Sequence, residues 1–485
     1  MPMARPIPLL DLVFLGVDRD PTPANVGVAM LFDPPPGRSS RAAAQRIVRA
    51  FRAAQPTPPF DCVPEFPALG RPHWRAVTDI DMRYHVRQQR LAAPGDRQQL
   101  FEVVAGLHQE RLDRTRPLFR LHVIDGLDSG QVAIYLKSHH ASWDGRSALA
   151  RIFGTLASEP GPIRTPFFAL PPQPSQHAPQ RESAGFADGA RSLLTHALAT
   201  GELLSALATR RSRTRGEPDV PAGNQPFGGP QTRFNQPVAA ERSFAAFSLP
   251  VDAMRRVAHI FGGKVNDVLL AVVDGGVERY LTALDERPRQ PLVAMCPVSM
   301  RDEGDLEATT KVATMFVPMA RPRSGAARRL QQVIANSGAA KQEFRALSKA
   351  AALDYALIAF GAWFASHTLG MEAITRPVVN LVVSNVGGLP GERYLGELRL
   401  AGAYPVSMIA DPVGLNVSAV SLGGRMDFGI VANRAAVPDA GEIARHCVAA
   451  WTLLRKAADR QDLVLRKPPL RKPSRKRRIP PSQRS

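Results

Sequence analysis

The chain is poor in cysteine, in long apolar runs and in acid. Three cysteines, Cys62, Cys296 and Cys447, stand in 485 residues. An odd number so far apart gives neither a disulfide framework nor zinc-ligand spacing, and it fits a reducing compartment. Nothing approaches the roughly 20 apolar residues that a membrane-spanning helix needs. The best candidate, Tyr355 to Ala365, is eleven residues between Asp354 and Ser366-His367. The apolar stretch near the start, Ile7 to Val17, contains Asp11 and lacks a basic lead and a small-residue cleavage site, so no signal peptide is read there. Acids number 43 against 62 Lys and Arg, a net charge of +19. Nine of those basic residues fall in the last twenty, which hold no acid. Aromatics are only 6% and few interleave with the charge; with no recognition motif, nucleic acid is not expected as a partner. What is plentiful is apolar material, 44% of the chain, enough for a large core in two or three domains. That excludes a disordered, collagen-like or disulfide-stapled protein.

Composition divides the chain into four pieces. Residues 1–165 alternate helix and strand patterns and hold the densest chemistry. Residues 166–235 read as a linker: Pro171, Pro172 and Pro174, one Ala/Leu-rich helix over residues 192–209, an Arg210–Arg215 basic cluster, then Gly and Pro up to Pro230. Residues 236–465 return to mixed helix and strand, and 466–485 form a basic tail expected to be disordered.

Leu118 to Ile124 and Gln131 to Ser138 read as two strands joined by a turn through Asp125-Gly126 and Asp128-Ser129-Gly130. Alternation along the second puts Ile134, Leu136, Ser138 and His140 on one face, and Ala133, Tyr135, Lys137 and His139 on the other. Leu149, Ile152, Phe153 and Leu156 then repeat at helix spacing. In the second half, Asn266 or Asp267 is the natural N-cap of a helix running to about Leu284. Leu292 to Val298 and Val378 to Val383 read as strands, the latter ending at Ser384-Asn385. Leu415 to Ser421 and Met426 to Val431 flank Gly423-Gly424 as a hairpin. A last helix from about Pro438 aligns Ile443, Cys447, Trp451 and Leu454.

The chemistry concentrates in His139-His140-Ala141-Ser142-Trp143-Asp144-Gly145. Imidazole is the side chain best matched to proton transfer near neutral pH, although a capped strand end with two satisfied histidines would look the same. The larger pattern resembles the HHxxxDG motif of CoA-dependent acyltransferases and peptide-synthetase condensation domains. Further segments narrow it to the bacterial wax ester synthase/diacylglycerol acyltransferase family. They are Arg116-Pro117-Leu118-Phe119 with Ile124-Asp125-Gly126-Leu127, Val265 to Leu270 around Asn266-Asp267, and Pro297-Val298-Ser299-Met300-Arg301. Asn380 to Val386, Tyr404-Pro405-Val406 and Gly414-Leu415-Asn416 complete the series.

The resemblance implies an α/β fold of two chloramphenicol-acetyltransferase-like subdomains packed around a central channel. It also implies transfer of a fatty acyl group from acyl-CoA to a long-chain alcohol or a diacylglycerol, giving wax ester or triacylglycerol. His140 is then the general base, with no metal and no cofactor beyond acyl-CoA as co-substrate. His139, facing the other way, is expected to be structural. Asp144 is implied to pair with Arg301 as scaffolding, and Gly145 to leave room in the channel. Asn266 is a helix cap, an active-site polar group, or both. Ser384 and Asn385 are either oxyanion donors or a polar turn.

Departures from the family pattern are Phe119 for tryptophan, Gly387-Gly388-Leu389-Pro390 after the Asn380–Val386 segment, Ser421-Leu422 for serine-tyrosine, and Trp143, whose bulk would shorten the acyl slot if it faced the channel. Two other functions compete: a non-catalytic protein docking its basic segments on anionic lipid, and a related ester- or amide-forming transferase with a carrier-bound donor. The expected location is cytoplasmic, peripheral on the inner membrane face or on lipid inclusions.

Overall fold

A computed structural model describes residues 5–142, 151–170, 228–299, 312–346 and 377–466. The first half runs β1 (Arg5–Pro6), α1 (Leu9–Val17), β2 (Asn25–Asp33), α2 (Ser40–Ala53), β3 (Cys62–Glu65), β4 (His73–Ala76), α3 (Met82–His85), β5 (Val86–Arg90), α4 (Arg97–Gln109), β6 (Phe119–Asp125) and β7 (Val132–His139). The second runs β8 (Arg242–Pro250), α5 (Val251–Phe261), α6 (Val265–Ala283), β9 (Val293–Ser299), β10 (Val312–Pro318), α7 (Ala326–Ala346), β11 (Leu381–Leu389), β12 (Tyr394–Leu395), β13 (Leu398–Val406), β14 (Leu415–Leu422), β15 (Arg425–Asn433) and α8 (Ala440–Arg466).

The result is an α/β protein with two six-stranded mixed sheets, ordered β12-β13-β2-β7-β6-β5 and β10-β9-β11-β14-β15-β8. β7 is buried along its whole length because both faces of its sheet are covered. Ile134 and Leu136 enter a core closed by α2, whose Ala43, Ala44, Ile47, Val48 and Phe51 form its apolar stripe. Ala133 and Tyr135 enter another core, closed by Leu100 and Val104 of α4. Ile152, Phe153 and Leu156 pack in the α2-side core with Phe167 and Phe168, while Phe234 sits in the core of the second half. Both ends of the 166–235 stretch are thus anchored by aromatics.

The second sheet carries the hairpin at Gly423-Gly424, where φ is 49° and 85°, positive values that glycine adopts without penalty. Ile443, Cys447, Trp451 and Leu454 of α8 are all buried against α6. Three local readings differ. The N-cap of α6 is Lys264; Asn266 is its second residue, and Asp267, its third, accepts the Lys264 N–H at 2.8 Å. A carboxylate at that position completes the start of a helix from inside it. β11 begins at Leu381 and continues to Leu389, so Ser384 and Asn385 lie within the strand, with a bulge between Asn385 and Gly388. Val378 and Val379 are buried, yet precede the ladder.

The two halves are interlocked. β13 follows β11 in sequence but pairs antiparallel with β2 in the other sheet. Across the junction, Asp427 of β15 accepts the Ala403 N–H of β13 at 2.9 Å and the Ser248 hydroxyl at 2.6 Å. A further buried chain runs from Tyr135 through His108 to the Ser407 carbonyl, and the Ser407 hydroxyl meets that of Ser418 on β14 at 2.7 Å. At Gly429, β15 lies tight against β13: a Cβ there would overlap the Pro405 carbonyl oxygen, a backbone atom that cannot swing aside. Gly429→Ala is therefore expected to lower the unfolding free energy by about 1–3 kcal/mol or more, as overpacking does. The denaturant midpoint measures this, and an unchanged midpoint would contradict so close a crossing.

Candidate active site

The site begins where β7 runs out. β7 is held on one side by β2 and on the other by β6, with Asn25 opposite His139 and Phe119 opposite Ser138. The ladder then ends with two backbone bonds, His139 N–H to the Leu118 carbonyl at 3.0 Å and His140 N–H to the Ala24 carbonyl at 2.8 Å. The two histidines consequently sit in different surroundings.

The His139 ring is buried. Its Nδ1 accepts the Ala141 N–H at 3.1 Å, and its Nε2 lies 3.6 Å from the Asp18 carboxylate, an electrostatic contact longer than a hydrogen bond. Asp18, also buried, accepts Arg111 Nε at 2.8 Å, Arg114 Nη2 at 3.0 Å and the Ala24 N–H at 3.0 Å. Burial by itself would raise this carboxyl; His139, Arg111 and the Ala24 amide outweigh it and hold it well below the usual carboxylate range. Arg114 also donates to the Leu15 carbonyl at the end of α1.

His140 is half-buried, and its ring stacks on Phe14 of α1 with centroids 3.8 Å apart and planes 19° from parallel. Ser138, on the same face of β7, buries a hydroxyl that has no hydrogen-bond partner among the described residues. The imidazole is fixed at its backbone and over one ring face, with Nδ1 buried although the residue as a whole is only partly so, and it is the side-chain type suited to proton exchange near neutral pH.

A second polar group forms at the other sheet. Asn385 Nδ2 lies 3.5 Å from Asn266 Oδ1, which brings the start of α6 up to β11, and Asn385 Oδ1 accepts the Gly387 N–H at 3.4 Å. Ser384 is half-buried opposite Ser418 of β14. Asn266 and Asn385, far apart in the chain, are thus together, while no described contact joins them to His140. Trp143, Asp144, Gly145 and Arg301 lie outside the described residues, as do residues 192–209, Arg210–Arg215, Tyr355–Ala365 and the tail beyond Arg466.

Phe14, Asp18, Arg111 and Arg114 were not singled out by sequence reasoning. A signal existed: α1 is apolar but followed at once by an acid, and a buried acid requires basic partners. Among the described residues no group of His, Cys, Asp and Glu could hold a metal, and no helix is long and apolar enough to cross a membrane. All three cysteines are free thiols, pushed up to about 12, chiefly by burial.

Comparison with known proteins places this arrangement. Residues 8–269 match the wax ester synthase/diacylglycerol acyltransferase catalytic domain, and 309–455 the C-terminal domain of the same family. A putative diacylglycerol O-acyltransferase of Mycobacterium tuberculosis is 32% identical over 441 residues, 90% of this chain and 96% of that protein. A probable diacylglycerol O-acyltransferase of the same organism is 32% identical over 444 residues, 90% of this chain and 95% of its own length. Among solved structures, the wax ester synthase/diacylglycerol acyltransferase from Marinobacter aquaeolei VT8 superposes with a TM-score of 0.74 at 26% identity, covering 94% of this chain and all of that one. The first condensation domain of the calcium-dependent antibiotic synthetase shares the fold, with a TM-score of 0.53 at 15% identity over 94% of this chain and 96% of its own. By sequence over nearly its whole length, and by fold, the chain is an acyltransferase of the wax ester synthase/diacylglycerol acyltransferase family.

Proposed function

We propose that the protein moves a fatty acyl group from acyl-CoA to the hydroxyl of a long-chain alcohol or a diacylglycerol, with His140 as general base. The observation that carries this is the partly buried His140 at the end of β7, its ring held over Phe14, in a chain of this family. A hydroxyl ionises far above neutral pH and is a weak nucleophile until a base takes its proton as the new bond forms. His140 takes that proton while the alcohol oxygen attacks the thioester carbonyl. The tetrahedral oxyanion requires donors already in place, and the amide groups of Asn266 and Asn385 and the hydroxyl of Ser384 are the candidates. The carbon–sulfur bond then breaks, and the CoA thiolate leaves with the proton returned by His140. Every atom is accounted for without a covalent acyl-enzyme. Asp144 and Arg301 are proposed as a scaffolding pair, Gly145 as the small residue in the channel, and Trp143 as a determinant of acyl length.

The basic tail and Arg210–Arg215 are proposed to bring the enzyme to anionic lipid surfaces, at about 1 kcal/mol per residue near the surface. This fits a cytoplasmic enzyme peripheral to the membrane or to lipid inclusions. The decisive experiment is thiol release from palmitoyl-CoA against hexadecanol, diacylglycerol and no acceptor, with lipid products separated by chromatography. Acceptor-dependent release with a matching ester is expected. Release independent of acceptor, or none, would overturn the reading.

A further inference from the structure

We infer that Phe14 and Asp18, at the C-terminal end of α1, are positioning residues for His140; the inference rests on His140 being the base. Three contacts at that histidine and its neighbour His139 lead back to α1. The ring lies on Phe14, 3.8 Å between centroids and 19° from parallel. The backbone N–H is bound by the Ala24 carbonyl at 2.8 Å, and the N–H of Ala24 is in turn bound by Asp18 at 3.0 Å. The residue before it, His139, places Nε2 3.6 Å from the same Asp18 carboxylate. Asp18 caps α1 four positions after Phe14, so the two point to one side of the helix. Arg111 and Arg114 close on Asp18, and Arg114 also grips the Leu15 carbonyl, so the end of α1 is bolted to the segment after α4.

A histidine has two side-chain torsions, and a general base is useful only when one ring nitrogen is within hydrogen-bond reach of the hydroxyl. Backbone bonds set where the side chain starts; they do not set the plane of the ring. The flat face of Phe14 does. Offset or near-parallel aromatic contact favours one ring orientation over free rotation. Asp18 fixes the height of that face relative to His140 by holding α1 and the Ala24 segment to one point.

The test is a kcat-against-KM split in the full chain, using palmitoyl-CoA and the best acceptor. Phe14 is half-buried and packs at the edge of the small apolar cluster that holds Leu15, Trp74 and Leu118, so the melting temperature of each variant is measured beside its kinetics. Phe14→Ala is expected to lower kcat on the order of 10-fold or more, as misplacing a catalytic group does, with KM for palmitoyl-CoA nearly unchanged. Phe14→Leu, of similar bulk without a flat face, should also lose kcat, while Phe14→Tyr should restore it. Asp18→Asn keeps an acceptor for Ala24 but loses the charge, and should lower kcat and melting temperature together. Should that variant fail to fold, the Phe14 series alone decides. Wild-type kcat in Phe14→Ala, or a rise in KM alone, would overturn the inference. An active His140→Ala would remove the reading beneath it; an inactive His140→Ala beside a fully active Phe14→Ala would remove only the positioning role.

Discussion

His140→Ala is expected to cut acceptor-dependent thiol release by about 10²–10⁴-fold, the range a positioned general base supplies. The protein should remain folded. The backbone bond from residue 140 to the Ala24 carbonyl survives any non-proline substitution, and the ring is half-buried rather than part of either core. The structural loss includes the stacked pair with Phe14, worth about 0.5–1.5 kcal/mol, a small part of a domain's stability. Activity and melting temperature should therefore separate: rate almost abolished, unfolding shifted by a few degrees at most. His139→Ala should behave in the opposite sense. That ring is sealed beside Asp18, Arg111 and Arg114, so its removal leaves a cavity next to a buried charge cluster and lowers stability first. If His140→Ala retained full turnover, or His139→Ala were stable and inactive, the two roles would be exchanged.

The parts of this arrangement legible in the sequence are those that short-range physics decides. Period-two alternation in β7 separates Ile134 and Leu136 from Ala133 and Tyr135, and the cores on its two sides divide the same way. Gly423-Gly424 marks its hairpin because a glycine pair takes positive φ twice without strain. Ile443 to Leu454 keep helix spacing because α8 covers one core. Misreadings arise where composition is degenerate. Val378 and Val379 are as apolar as a strand but are buried before the ladder begins. Asp267 sits near a helix start, and capping chemistry is available to the third residue as well as to the cap. The crossing of β13 into the other sheet, and the hold of α1 on His140, join residues distant in the chain. No local pattern encodes them. The motif pointed to the imidazole, whereas its support by Phe14 and Asp18 emerges only from the packed fold.

Acid should unfold the first half of the chain well before it denatures an ordinary carboxylate-stabilised domain. His85, His108 and His122 are all buried there, and burial lowers them from 6.5 to about 4, about 3 and about 3 respectively. Neighbouring cations add to the effect, Arg116 and Arg120 at His85, Lys137 at His108 and His122. Folding thus holds three imidazoles neutral while the unfolded chain protonates them, so stability rises with pH through this range. Above pH 6.5 the histidines contribute no pH dependence. Below it, stability is lost as pH falls, until the folded-state values near 4 and 3 are passed. Each proton is worth about 1.4 kcal/mol per pH unit, so at pH 5 the three together cost on the order of 6 kcal/mol, comparable with the whole stability of a domain. Below pH 4 the loss of the Asp18 charge adds to this, because its folded value is depressed and its contribution disappears as protons bind. In the second half the sign is reversed at Asp274 and Asp427, both raised by burial: Asp274 reaches about 6 despite Arg329 beside it, so lowering pH from 6 to 4 favours the folded state there. The loss falls on the sheet containing β7, which carries His140, and thermal scans at pH 7.5, 6 and 5 should show a steep fall in melting temperature. His122→Phe retains the stack on Tyr135 and removes one titrating ring, so the slope between pH 6.5 and 5 should drop by about one proton. A melting temperature unchanged from pH 7 to 5, or a slope indifferent to His122, would mean that these rings are not held neutral by the fold.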